Sequence, residues 1–196
     1  GDLLPAPTQA QRIATGFNRN QNIHLGYFSG SPSHNKDFQI VADSLAKLLA
    51  KDSRIILRIV GFLDLPNSLR NYSSQIEYQP LTDFLNLQRL IGEVEINLIP
   101  LQDNLFTNCK SELKYFEGAI AGTISIASPT FTLSNSIQDG VNGYLAQSFE
   151  WEEKLESILN RFDNSDWYPS MAEKLFHDCQ EFRFENQRKR IETTLF

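Results

Sequence analysis

Four short runs of the chain are almost entirely apolar, and they alternate with longer segments in which apolar residues recur at helical spacing. These runs are 23–28, 54–61, 95–99 and 123–127. A strand without a polar face must be covered on both sides, which is typical of a parallel sheet between two layers of helices. The alternation therefore predicts an α/β fold with a doubly wound, mostly parallel sheet.

Composition divides the chain into three parts. Residues 1–22 are rich in Gln, Asn and Pro and are predicted to be a linker or lead-in. Residues 23–165 contain all the predicted strands and form the predicted ligand-binding domain. Residues 166–196 are predicted to be a C-terminal helical extension. The first residue is not Met, so we expect a piece of a longer protein.

Bulk properties exclude several functional classes. The net charge of −6 over 196 residues gives no basic footprint for nucleic acid. No apolar run approaches the ~18 residues that span a bilayer. Two distant cysteines, Cys109 and Cys179, form neither a disulfide framework nor a zinc pattern. We expect a cytoplasmic protein, at most peripheral to the inner face of a membrane, without a bound metal ion.

The segment 108–122 carries the strongest chemical signal. It is predicted to be one helix with Lys110, Ser111 and Lys114 at its start and Glu117 in the following turn. Free N–H groups and the helix dipole make such a start a natural cradle for phosphate. A carboxylate further along can accept hydrogen bonds from ribose hydroxyls. The segment predicts a nucleoside diphosphate site, although Glu117 as a solvent-facing partner of Lys114 remains an alternative.

Ligands of doubly wound sheets bind outside the carboxyl ends of the strands. The loops predicted there are 29–36, 61–66, 78–81, 100–108 and 127–136. They contribute further candidates for ligand binding, namely Ser29, Gly30, His34, Lys36, Gly61, Pro80 and Leu81. His34 is equally consistent with a loop residue that has no ligand, and Asn35 or Asp37 with a cap of the helix that follows.

In this order the segments resemble the C-terminal, donor-binding half of a GT-B fold glycosyltransferase, in the large group 1 (family 4) class. That half has a glycine loop followed by a lysine, a strand ending in Val-Gly, a strand ending in Pro, a helix with a ribose-binding Glu, an apolar strand and an Asp-Gly-x-x-Gly turn. The matching pieces here are Gly30 with Lys36, then 59–61, 98–100, 117–122, 124–128 and 139–143.

The resemblance implies roles for individual residues. Lys36, Lys110 and Glu117 would form the catalytic set, with the lysines at the diphosphate and Glu117 at the ribose. Donor contacts would also come from the start of the helix, at Asn108, Ser111, Glu112, Leu113 and Lys114.

The chain departs from the family pattern at two positions. The first glutamate of the Glu-x7-Glu signature is replaced by Cys109, which we expect to be buried. Tyr27 stands near the usual place of a basic residue in the first glycine loop. Lys110 and Ser111 are expected to take over part of the phosphate binding.

The implied activity is transfer of a hexose from a nucleotide diphosphate sugar, in polysaccharide biosynthesis, with retention and without a cofactor. An acceptor glycan or lipid-linked sugar would bind an N-terminal domain that this chain lacks. A nucleotide-sugar epimerase-type domain and a non-catalytic nucleotide-binding domain, such as a receiver-like module, remain alternatives.

Overall fold

The computed structural model describes residues 22–180, which form one parallel sheet with helices on both faces. The strands are β1 (Ile23–Ser29), β2 (Ile55–Gly61), β3 (Ile76–Gln79), β4 (Ile96–Ile99), β5 (Ile124–Ala127) and β6 (Tyr144–Leu145). The α-helices are α1 (Asn35–Lys51), α2 (Phe84–Gly92), α3 (Leu105–Asn108), α4 (Leu113–Ile120), α5 (Phe131–Ser136), α6 (Trp151–Asn160) and α7 (Trp167–Gln180). Most of the predicted lead-in, and residues 181–196 of the predicted extension, lie outside the described residues.

The strand order is β3-β2-β1-β4-β5-β6, and every pair is parallel. The predicted doubly wound α/β fold is confirmed. This is the order of dinucleotide-binding folds and differs from the receiver-like order 2-1-3-4-5. The chain leaves β1 towards β2 and later returns on the other side as β4. The loops after β1 and β4 therefore flank a crevice at the carboxyl edge of the sheet.

The central strand and α1 pack through a continuous apolar face. Phe38, Val41 and Leu45 recur at helical spacing and are fully buried. The ring of Tyr27 on β1 lies 4.6 Å from that of Phe38, centroid to centroid. Each side chain of this size stabilises the fold by about 1.5–3 kcal/mol on burial. The start of α1 is thereby fixed beside the end of β1.

Helix α4 lies unusually close to the sheet. A Cβ built on Gly118 would be 3.1 Å from both Asn97 Nδ2 and Ser125 Oγ, so a larger residue would push the helix outwards. Asn97 Nδ2 also donates to the Lys114 carbonyl oxygen at 3.0 Å. Buried polar groups of β4 and β5 thus fix the helix that carries Glu117.

The prediction of one helix over 108–122 is wrong. Asn104 and Thr107 form a reciprocal capping box at the start of α3, which is a single turn long. The chain then leaves the helical path, and α4 begins only at Leu113. Cys109 lies in this break and is exposed, against the expectation of burial. The break gives the segment a second helix start, closer to Glu117.

A substitution at Gly61 tests the backbone geometry at the end of β2. Its φ is +92°, and a Cβ there would overlap the Ser29 carbonyl oxygen. We expect Gly61→Ala to lower the free energy of unfolding by at least about 1–3 kcal/mol, measured by urea denaturation. Gly30→Ala is the matched control, because a Cβ there meets nothing within 4 Å. Equal stability of the two variants would contradict the described geometry.

Candidate functional site

A cluster of charged side chains occupies the crevice between the loops after β1 and β4. Lys110 Nζ lies 3.2 Å from Asp37 Oδ2. His34 Nδ1 lies 3.1 Å from the same oxygen. Tyr27 on β1 donates its hydroxyl hydrogen to the His34 carbonyl oxygen at 3.1 Å. The cluster joins the start of α1 to the segment before α4, which are far apart in sequence.

Asp37 is the centre of this cluster and was considered from the sequence only as a possible helix cap. Its side chain is buried, and Oδ1 accepts from the Gln102 amide at 3.0 Å. Burial alone would raise the pKa of Asp37, but hydrogen bonds from Gln102, His34 and Lys110 hold it below its ordinary value. The carboxylate therefore stays ionised. The sequence around Asp37 gives little indication of this role, because its partners Gln102 and Lys110 follow 65 and 73 residues later.

Lys114 brings a second ammonium group to the same place. Its Nζ donates to the Phe28 carbonyl oxygen at 2.9 Å and lies 5.8 Å from the centre of the Tyr27 ring. Burial and the neighbouring Lys110 lower the pKa of Lys114 to about 8. Asp37 attracts both ammonium groups, and the Glu117 carboxyl also attracts that of Lys114, although burial raises the pKa of Glu117. The same burial lowers the pKa of His34, which favours its neutral form.

The start of α4 adds backbone donors to this charge. The residue before the helix, Glu112, is half-buried and its side chain makes no capping hydrogen bond. The first N–H groups of a helix have no partner inside it, and the helix dipole is positive at this end. Ser111 and Leu113 are exposed beside these groups. The arrangement favours an oxyanion with several negative charges.

Glu117 lies one turn into α4, where this helix packs against α2. It is only 7% exposed, so the alternative of a solvent-facing helix residue is wrong. Burial raises the pKa of Glu117, and the ammonium group of Lys114 opposes the shift. This carboxylate is already shielded from water. A hydrogen bond from a neutral donor therefore costs it less desolvation than it would cost an exposed carboxylate.

The first glycine loop leaves open space beside the cluster. Gly30 is exposed, and its own packing does not require glycine, since an added Cβ would meet no protein atom within 4 Å. Ser29 is buried and donates its hydroxyl hydrogen to the Ser31 carbonyl oxygen at 3.0 Å. Lys36 is exposed on the first turn of α1 and forms no ion pair with other residues of the range 22–180.

Three further predicted contact residues lie in two different places. Pro80 and Leu81 are exposed after β3, and a Leu81 methyl carbon lies 3.4 Å from the Cβ position of Gly61. The side chain of Asn108 instead connects two loops, because its Oδ1 accepts from the Phe131 amide at 3.0 Å. The first pair faces the crevice side of the sheet, whereas the Asn108 amide already has a structural partner.

A cleft of about 540 Å³ adjoins the charged cluster through Gln102, whose amide is bound by Asp37. Most of its lining side chains are neutral and polar, with one acid and no base. They are Ile40, Leu101, Gln102, Asp103, Asn104, Ser128, Pro129, Thr130, Gln147 and Ser148. A neutral group rich in hydroxyls matches this lining better than a second phosphate.

Within residues 22–180, no three or more His, Cys, Asp or Glu side chains are grouped so that they could hold a metal ion. In the same range no helix has the length and apolar character needed to cross a membrane.

The sequence that forms this fold matches a known family. The family model of the glycosyl transferases of group 1 matches residues 23–164. The chain belongs to this family. A comparison with curated proteins gives no match.

Solved structures of such transferases share the fold. Anabaena Alr3699/HepE in complex with UDP and glucose is 15% identical, with a TM-score of 0.69 over 98% of this chain and 53% of that one. WaaG, a glycosyltransferase of lipopolysaccharide biosynthesis, is 17% identical, with a TM-score of 0.65 over 90% and 47%. The C-terminal domain of the Francisella tularensis group 1 protein LpcC is 14% identical, with a TM-score of 0.65 over 93% and 96%. The chain thus spans about half of the HepE and WaaG chains and nearly all of the LpcC C-terminal domain.

The central carboxylate can be tested through stability. We expect Asp37→Asn to lower the free energy of unfolding by about 1–3 kcal/mol at pH 7, because its charged hydrogen bonds are lost. The folded pKa of Asp37 lies below the ordinary 3.8, so its contribution is present above that pH and is lost as the pH falls through the folded value. Urea denaturation from pH 7 to pH 2.5 should show the two proteins converging in acid. The exposed Asp43→Asn on the same helix is the control, and a constant gap between Asp37→Asn and wild type would contradict the assignment.

Proposed function

We propose that this chain is the donor-binding half of a glycosyltransferase and holds a nucleoside diphosphate sugar in the crevice between β1 and β4. The observation that carries the proposal is the pair of ammonium groups on Lys110 and Lys114 beside the uncapped start of α4. Family membership favours sugar transfer over the epimerase alternative. Retention of the anomeric configuration is part of the proposal and rests on the family resemblance.

The diphosphate binds at the start of α4. Lys110 and the amides near Leu113 contact the phosphate oxygens, and Ser111 adds a hydroxyl donor. Lys36 reaches the same ligand from the exposed first turn of α1, and Gly30 leaves space for it. As the bond to the sugar breaks, negative charge grows on the leaving phosphate, and donors already in place stabilise it. In this proposal no metal ion is needed for that task.

The nucleoside binds beside the diphosphate. Glu117 accepts hydrogen bonds from the ribose hydroxyls, and the exposed Pro80 and Leu81, with the half-buried Gly61, lie along the base. The hexose extends towards the cleft at Gln102, whose neutral polar lining suits sugar hydroxyls. In this placement the cleft contacts the sugar. It replaces the first glutamate of the family signature, whose position is occupied here by Cys109.

The acceptor is held by another domain in this proposal. Large apolar side chains stand exposed around the crevice, among them Leu105, Phe106, Leu113 and Phe131. An apolar rim of this kind marks a surface that a partner covers. Because the chain spans about half of the full-length transferases it resembles, we expect donor binding without transfer when it is assayed alone.

A thermal-shift screen tests the proposal. UDP, GDP, ADP and dTDP, each with its sugar conjugates, are added to the chain, and selective stabilisation by one base is expected, because a ligand bound only by the folded state raises stability. Inorganic pyrophosphate and the free nucleosides are the controls for each half of the ligand. Stabilisation by none of the nucleotides would contradict donor binding.

Two variants separate the halves of the ligand. We expect Glu117→Ala to weaken binding of both a nucleoside diphosphate and its nucleoside by roughly 1.5–3 kcal/mol, the range for a charged hydrogen-bond partner. Lys110→Ala should weaken only the diphosphate, because its ammonium group faces the phosphates. Titration calorimetry with both ligands measures the contrast. Unchanged affinity in Glu117→Ala, or equal losses for both ligands in Lys110→Ala, would remove that residue from the site.

A further inference from the structure

Gln88 is a fully buried residue of α2 whose amide is not used by the fold. It is 0% exposed. Neither Nε2 nor Oε1 has a hydrogen-bond partner among residues 22–180. Leaving buried polar atoms unpaired destabilises a protein, and most buried polar groups in native structures have a hydrogen-bond partner. An apolar side chain of the same length would fill the space without it.

The neighbour of this amide is the carboxyl group of Glu117. Helices α2 and α4 pack against each other, and Gln88 and Glu117 meet at that contact. The Gln88 amide lowers the pKa of Glu117, while burial raises it more strongly. The two groups are thus near each other but do not form a well-oriented hydrogen bond in the unliganded structure. A small rotation of either side chain would complete it.

We propose that Gln88 is a positioning residue for Glu117: its Nε2 donates to one carboxylate oxygen, so that the other oxygen faces the ribose hydroxyls of the donor. This inference rests on the proposed function, because it needs Glu117 at the ribose. Gln88 itself has no contact with the ligand. In this proposal the unpaired Gln88 amide destabilises the fold, but it keeps the buried Glu117 carboxyl ionised, so that Glu117 can accept hydrogen bonds from the ribose.

Other groups around Glu117 leave this task to Gln88. On its own helix, Lys114 supplies the nearby positive charge, and its ammonium group already donates to the Phe28 carbonyl oxygen. On the sheet side, Asn97 and Ser125 are neutral, and the Asn97 amide is held by the Lys114 carbonyl oxygen and by Ser125. The acids of α7 that pack against α4 act elsewhere, since Asp178 affects Tyr115. The Gln88 amide is the neutral side-chain donor that acts on the Glu117 carboxyl and lowers its pKa.

The decisive variant is Gln88→Met, which keeps the length and volume of the side chain and removes the amide. At a pH low enough to protonate Glu117, its free energy of unfolding should equal or exceed that of wild type, because two unpaired buried atoms are gone. In the unliganded chain, the titration midpoint of the Glu117 carboxyl carbon, followed by carbon NMR, should move to higher pH. An unchanged or lower midpoint would overturn the inference without any ligand being involved. Gln88→Leu is the second variant if Gln88→Met does not fold.

A binding experiment provides the functional readout. The affinities of UDP and of its 2′,3′-dideoxy analogue are measured from pH 5.5 to 8.5, and their ratio reports the ribose contact. We expect Gln88→Met to reduce this ratio three- to tenfold and to shift its pH midpoint upwards. If Glu117→Gln abolishes the preference for ribose while Gln88→Met leaves it unchanged, this inference fails and the proposed function stands. If Glu117→Gln also leaves the preference unchanged, the proposed ribose site fails.

Discussion

The carboxylate of Asp37 holds together the parts of the site that the fold brings near each other but does not connect. One oxygen receives the amide of Gln102 and so fixes the loop after β4. The other receives Lys110 and contacts His34, and so joins the segment before α4 to the start of α1. Because the carboxylate is buried, each of these hydrogen bonds is stronger than it would be in water. The ammonium group of Lys110 is held in the crevice by this carboxylate.

The Asp37 carboxylate alone does not balance both ammonium groups of the site. Burial first and then the neighbouring Lys110 lower the pKa of Lys114, and the carboxyl groups of Asp37 and Glu117 offset this only in part. A bound polyanion would relieve this repulsion and would find the amides at the start of α4 pointing at it. The physical argument for diphosphate binding is therefore an unmet charge as well as a geometric fit.

Much of this could be predicted from the sequence, for identifiable reasons. The apolar runs determine a covered parallel sheet, and the Lys and Ser residues before Glu117 indicate a helix start in this segment, which the structure places at Leu113. The break before α4 could not be foreseen, because residues 109–112 contain neither Pro nor Gly and the Lys110 carbonyl oxygen is bound by the distant Thr132 hydroxyl. The role of Asp37 depends on partners more than sixty residues away, and a single chain gives no signal for such pairs.

The central claim is that phosphate oxygens bind the amides at the start of α4, and the most direct test is an amide NMR titration of this chain with inorganic pyrophosphate. The account predicts that the largest shifts fall on Ser111, Glu112, Leu113 and Lys114, because their N–H groups would donate to the anion. Uncharged ribose should leave these amides almost unmoved. Pyrophosphate shifts confined to other parts of the described chain, with the start of α4 unchanged, would contradict the account.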